Sequence, residues 1–253
     1  MSIRLLFFSI LLTGTALALW AFVFEPWSFR IRTVQLNLSD WPEECEGTSI
    51  AVLADLHVGS PYKGLPSLRA LVEEVNRAQP DLVLLPGDFV IQGVLGGSFV
   101  TPEAAGAVLA TLTAPMGVYA VLGNHDWWLD ATRVETALSD NAIGVLSDES
   151  TVITAGNCRL RLAGISDFME GPADVSRALS AVTPGDTVLA FTHNPDVFPQ
   201  IPDRVALTVA GHTHGGQVYF PGIGRLIVPS RFGERYAIGH VIETGRHLYV
   251  SPG

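Results

Sequence analysis

Five short apolar runs, each followed within a residue or two by a polar side chain, constrain this chain more than any other feature. Ser49–Ala54 runs into Asp55, Asp81–Leu85 into Pro86-Gly87-Asp88, Gly117–Leu122 into Gly123-Asn124, Val188–Thr192 into His193, and Leu207–Ala210 into Gly211-His212. Apolar runs of this length between turn residues read as strands buried on both faces. Segments of helical spacing lie between them. In 65–78, Leu68, Leu71, Val72 and Val75 share a face, and Pro80 closes the segment. Pro102–Leu112 is helical, with Thr101 as N-cap and Pro102 at the first position, and Thr132–Ser139 is a short helix. Strands alternating with helices imply an α/β fold. Such folds gather their sites at the carboxyl ends of strands, so the five runs bring their polar residues to one rim.

The second half holds more strands. Ser150–Thr154 and Arg159–Ile165 flank Ala155-Gly156-Asn157-Cys158, a hairpin pattern. Val218–Tyr219, Arg225–Val228, Ile238–Ile242 and His247–Val250 read as further strands, and residues 31–38 alternate apolar and polar as a half-buried strand does. With 253 residues, 48% of them hydrophobic, the chain can bury one sizeable core. Its 15 basic against 25 acidic residues give a net charge of −10, which lacks the basic footprint that duplex nucleic acid requires. A protein this acidic needs local cations to attract a phosphate. Cys45 and Cys158 have no zinc-ribbon spacing and read as small buried hydrophobes rather than a pair.

Leu5–Phe24 carries no charge over 20 residues, enough for a helix to cross the ~30 Å hydrocarbon core. Trp20 and Trp27 stand toward its far end, where aromatic rings favour the interface. A cleaved signal peptide ending at Ala16-Leu17-Ala18 is the competing reading, but the apolar run continues six residues further, which favours an uncleaved anchor in the cytoplasmic membrane. The chain thus divides into an anchor over 1–30 and a catalytic domain over 31–253. Arg4 on one side and Arg30 and Arg32 on the other leave orientation nearly balanced.

The polar residues after the strands form a chemical set. Asp55, His57, Asp88, Asn124, His193, His212 and His214 offer carboxylate, imidazole and amide oxygen, which suit Mn, Fe or Zn better than Ca. Seven donors exceed one tetrahedral ion and fit two ions sharing a carboxylate. Two such ions ~3.5–4 Å apart bridge a hydroxide and clamp the attacking and leaving oxygens at phosphorus. Each motif alone has an ordinary reading as a turn or a core histidine. Their joint occurrence after successive strands carries the inference.

Asp55-Leu56-His57, Gly87-Asp88, Gly123-Asn124-His125-Asp126, His193 and Gly211-His212-Thr213-His214 together resemble the calcineurin-like metallophosphoesterase family. The flanking DLHVG, THNPD and AGHTHGGQV look like its bacterial membrane-associated branch of small phosphodiesterases. The resemblance implies a two-sheet β-sandwich flanked by helices, a four-layer αββα fold, from about Ser49 onward. It implies a first metal on Asp55, His57 and His214, a second on Asn124, His193 and His212, and Asp88 as their bridge. It makes His125 the group that faces the scissile phosphate and protonates or stabilises the leaving oxygen, with Asp126 orienting the His125 ring. The sequence departs from many members at Ile91, where a GDxxD pattern has its second aspartate, and it stops at Gly253, where members continue with another loop and strand.

Two apolar stretches adjoin the motifs: Trp127-Trp128 after GNHD, and Phe89–Val100 after GD. They read either as core packing and a surface loop, or as a wall or lid for an acyl chain, which would make the substrate a lipid-linked phosphodiester or pyrophosphate. The competing function is a non-catalytic metal-dependent binding module on the same fold, although no ligand or acid is missing. A metallo-β-lactamase-type hydrolase needs an H-x-H-x-D-H string, and the chain has none.

Overall fold

The computed structural model describes residues 3–24, 31–217, 219–220, 224–225 and 227–253. Its first element, α1 (Ile3–Leu19), has no buried residue. At 17 residues it is about 26 Å long, short of the ~30 Å bilayer core. Trp20–Phe24 then continue as a π-helical turn. The apolar stretch expected as one transmembrane span is thus divided between two helical geometries, and among the described residues no helix is long and apolar enough to cross a membrane. The expected flanking residues Trp27 and Arg30 lie outside the described residues, as do Val218 and Leu226 of two expected strands.

The strands form two main sheets. Ile50–Val52 (β1), Leu82–Pro86 (β2), Val118–Val121 (β3) and Gly144–Val145 (β4) pair in parallel in that order. Their crossovers carry α2 (Leu65–Ala78), α3 (Pro102–Leu109) and α4 (Asn124–Ser139). As expected, the Thr101 hydroxyl caps α3 by accepting the Ala104 N–H. The second sheet takes Glu149–Ala155 (β5), Cys158–Ile165 (β6), Val188–Thr192 (β7) and Val205–Ala210 (β8), and, after the small pair Tyr219–Phe220 (β9) and Gly224–Arg225 (β10), Gly239–Glu243 (β11) and Arg246–Val250 (β12). Its order is β11-β12-β8-β7-β6-β5, with a parallel centre and antiparallel edges.

Strand alternation divides the core into three parts. Val83 and Leu85 of β2 face Leu68, Val72, Leu109 and Val134 of the helices. Leu82 and Leu84 point the other way, into a core between the sheets with Leu160, Leu162, Leu189, Phe191 and Val209. The far face of the large sheet packs Ala190, Val205 and Leu248 against α5 (Val175–Ala178) and the 3₁₀ turns that hold Phe198 and Tyr236. The expected αββα layering is present, but the fourth layer is made of single turns rather than long helices.

Three local expectations differ. Residues 31–38 form no ladder; their alternation is spent on resting Leu36 and Leu38 against the inter-sheet core. The helix expected at 132–139 begins at Asn124, with a break in helical geometry at Asp130. Cys45 and Cys158 are not separate hydrophobes but a disulfide, with Cα atoms 4.7 Å apart across 113 residues of sequence. A tight turn prepares it: the Cys45 carbonyl accepts the Trp41 indole N–H and the Thr48 hydroxyl, each within hydrogen-bond distance. The bond ties the segment that follows α1 to the start of β6.

Closing a loop this long strongly restricts the unfolded chain. The Cys45→Ala/Cys158→Ala variant is expected to lose roughly 4 kcal/mol of unfolding free energy, measured by denaturant titration. The wild type, unfolded without reductant, should show no reactive thiol; two thiols per chain would contradict the pairing.

Candidate metal centre

The carboxyl ends of β1, β2, β3, β7 and β8 converge as expected. Asp55 and His57 follow β1, Asp88 follows β2, Asn124 follows β3 as the first residue of α4, His193 follows β7 directly, and His212 and His214 follow β8. All but His214 are buried. Five of the seven have left-handed backbone: Asp55 (φ 56°), His57 (41°), Asp88 (59°), His212 (71°) and His214 (50°). Residues with a Cβ rarely adopt this region, and such strain concentrates where the surroundings impose a functional geometry. Glycine opens three of the motifs because the backbones nearly touch. Gly87 has φ 83°, and a Cβ on Gly123 would lie 2.3 Å from Asp88 Oδ1.

The donor atoms face one another. His57 Nε2 lies 3.2 Å from His214 Nε2 and 3.5 Å from Asp88 Oδ2, and His214 Nε2 lies 3.6 Å from Asp55 Oδ1. On the other side, His193 Nδ1 donates to the Pro86 carbonyl at 2.7 Å. That leaves Nε2 facing Asn124 Oδ1 at 3.1 Å, His212 Nδ1 at 3.0 Å and Asp88 Oδ2 at 3.4 Å. One proton on Nε2 can serve only one of these three. Lone pairs of oxygen and nitrogen converging on a point fit a divalent cation. Asp55, His57 and His214 come within 4.8 Å of one another through single donor atoms, and so do Asp55, Asp88 and His193. Asp88 Oδ2 lies between the two groups.

The electrostatics also call for positive charge. Burial opposes charge on His193, yet the Asp88 carboxylate beside it, with Asp55 and Asp167, holds its pKa up to about 10. Burial draws His57 down to about 4 and His212 down to about 3. Burial would raise Asp88, but contact with His193 takes it below the usual carboxylate range.

His125 stands at the edge of this group. Its backbone N–H donates to Asp88 Oδ1 at 2.9 Å, its ring meets those of His57 and Trp128 edge-on, and its Nδ1 has no hydrogen-bond partner. The partners of Asp126 are not on the His125 ring. Its carboxylate accepts the backbone N–H groups of Asp88 (2.8 Å), Phe89 (2.9 Å), Val90 (3.3 Å) and Gly123 (2.9 Å). All four are donors, so a proton on either oxygen would face only N–H groups. Burial and the charge of Asp88 push this carboxyl up to about 7, but the four donors favour its ionised form. Asp126 therefore fixes the turn that carries Asp88 and starts α4 by reaching back to Gly123.

The sequence reading passed over Asp167. It follows β6 as the candidate ligands follow their strands, so the same positional rule identifies it. It is fully buried, burial raises its pKa against the pull of His193, and its Oδ2 accepts the Met169 and Glu170 N–H groups at 2.8 Å. Glu170 in turn accepts the Trp128 indole N–H at 2.9 Å.

A family model described as calcineurin-like phosphoesterase matches residues 48–216. The chain belongs to this family of metal-dependent phosphoester hydrolases. It is 29% identical to the phosphodiesterase YaeI of Escherichia coli, over 90% of this chain and 82% of that protein. It is 22% identical to the UDP-2,3-diacylglucosamine pyrophosphatase LpxG of Chlamydia trachomatis, over 80% of this chain and 74% of that one. Among solved structures, the NAD nucleotidase NadN of Haemophilus influenzae shares the fold with a TM-score of 0.50 and 17% identity; the match covers 81% of this chain and half of that one.

Two substitutions separate the roles of adjacent residues. Asp126→Asn puts an amide donor against backbone donors and should cost about 3 kcal/mol of stability, with metal content falling as Asp88 loses its hold. His125→Ala should leave melting temperature and metal content near wild type while turnover falls at least about 100-fold. An Asp126→Asn protein that kept its stability and metal would return Asp126 to the role of orienting His125.

Proposed function

We propose that this chain is a membrane-attached, two-metal phosphodiesterase or pyrophosphatase acting on a substrate with an apolar chain. In this reading Asp55, His57 and His214 would hold one ion, Asn124, His193 and His212 would hold the other, and Asp88 would serve both. The observation that carries it is Asp88 Oδ2 standing 3.5 Å from His57 Nε2 and 3.4 Å from His193 Nε2, each of which faces further donors of its own group. When bound, two divalent Mn, Fe or Zn ions supply an activated water and neutralise the phosphate's charge. The protein's own residues do the rest: the seven ligands orient, Asp126 keeps the bridging turn in place, and His125 faces the leaving oxygen as hydrogen-bond donor.

Membrane attachment is supported by the first 24 residues. A helix apolar all round is stable only in an apolar environment, and the side chains of α1 are exposed, Phe7 at 68% and Phe8 at 72%. The π-helical turn extends the apolar stretch to Phe24. The disulfide supports a location on the non-cytoplasmic side, since such bonds persist in oxidising compartments.

An apolar rim supports the substrate class. Val94, Leu95 and Phe99 are exposed in the loop after Asp88, Leu95 at 97%. Beside them, a cleft of about 230 Å³ lies between this loop and Gly59. The pyrophosphatase relative acts on a diacylated nucleotide sugar, by its name.

With metal restored, the full chain in micelles should hydrolyse a lipid-like phosphoester faster than a soluble aryl diester, and removal of residues 92–98 should narrow the difference. Equal rates in the wild type, unchanged by the deletion, would defeat the lipid reading. Absence of turnover on every phosphoester would favour a binding module.

A further inference from the structure

The first turn of α4 carries more than a metal ligand. His125 and Trp128 lie three residues apart, on one face of the helix, with ring centroids 4.7 Å apart. Trp127 instead turns toward the helix-side core. Trp128 is 54% exposed, yet its indole is held by the 2.9 Å hydrogen bond to Glu170 Oε1 and by the His125 ring. Glu170 is fixed in turn, because buried Asp167 accepts both its N–H and that of Met169. Thus three side chains on two elements hold a large aromatic surface rigid and open at the edge of the metal centre. Core packing does not explain an exposed ring, and a free surface tryptophan would not have such a support. Rigid aromatic surface suits apolar ligand groups.

We propose that Trp128 forms the subsite for the apolar chain of the leaving group, with Glu170 as its positioning residue. The proposal rests on the reading above, in which His125 faces the leaving oxygen: a group departing past His125 meets the indole next. The polarity of cleavage follows. A water oxygen forms the new bond to the phosphorus held at the metal centre. The P–O bond to the chain-bearing half breaks, and that half departs with its bridging oxygen over Trp128. One proton of the water remains on the new phosphate oxygen, and the other is released or taken by the departing oxygen.

The test uses the full metal-loaded chain in micelles and an unsymmetrical diphosphate with a dodecyl group on one phosphate and a methyl group on the other. In water labelled with oxygen-18, the label should enter methyl phosphate, because dodecyl phosphate is the leaving group. Trp128→Ala should raise KM for this substrate about tenfold, and leave hydrolysis of dimethyl diphosphate within about twofold of wild type. Glu170→Ala should raise KM in the same direction, while Glu170→Gln, which keeps an oxygen acceptor for the indole, should restore most of the loss. Melting temperature and metal content of each variant identify any that fail to fold. Label in dodecyl phosphate, or equal losses on both diphosphates in Trp128→Ala, would overturn the subsite. Failure to cleave either diphosphate, with an aryl diester still cleaved, would overturn it while leaving the phosphoesterase reading intact. Failure on all three substrates would overturn both.

Discussion

The structure depends on one carboxylate and four backbone N–H groups. Asp126 gathers the amides of Asp88, Phe89, Val90 and Gly123, and so joins the turn after β2 to the start of α4. Four charge-assisted hydrogen bonds offset the burial of a full charge. They also hold Asp88 in left-handed backbone, with its Oδ1 receiving the His125 N–H and its Oδ2 between His57 and His193. The position that belongs to both groups of donors is thereby set from outside either group.

The rest of the centre follows the same pattern of support from behind. The His212 N–H donates to both oxygens of Asp55, the Pro86 carbonyl fixes His193, and the Thr213 hydroxyl donates to Ala237. Supporting hydrogen bonds of this kind set the tautomer and direction of ligands. The site and the apolar rim share α4: its first residues are Asn124 and His125, and one turn on is Trp128. The disulfide, at the start of β6, lies toward the opposite end of the sheet from the ligands, so the N-terminal segment is tied down away from the chemistry.

Much of this was legible in the sequence, for physical reasons. β2, β7 and β8 are buried along their whole length and so appear as unbroken apolar runs, and β7 and α2 match their expected limits. All seven candidate ligands meet because each follows such a run. What escaped was whatever depends on contacts distant in sequence. Residues 31–38 have a strand's alternation but no partner strand among the described residues. Two cysteines 113 residues apart carry no sign of pairing. Asp126 beside His125 suggested an imidazole partner, whereas helical geometry turns adjacent side chains to different faces and sends the carboxylate to the Asp88 turn. The apolar stretch to Phe24 did not disclose the change to π geometry at Trp20.

The central claim is that seven side chains define two cation positions joined by Asp88. Anomalous diffraction from crystals of the manganese-loaded protein tests it most directly. Two peaks are expected, about 3.5–4 Å apart, on either side of the Asp88 carboxylate, one against His57 and His214 and the other against Asn124, His193 and His212. A single peak, or two peaks that do not share Asp88, would contradict it.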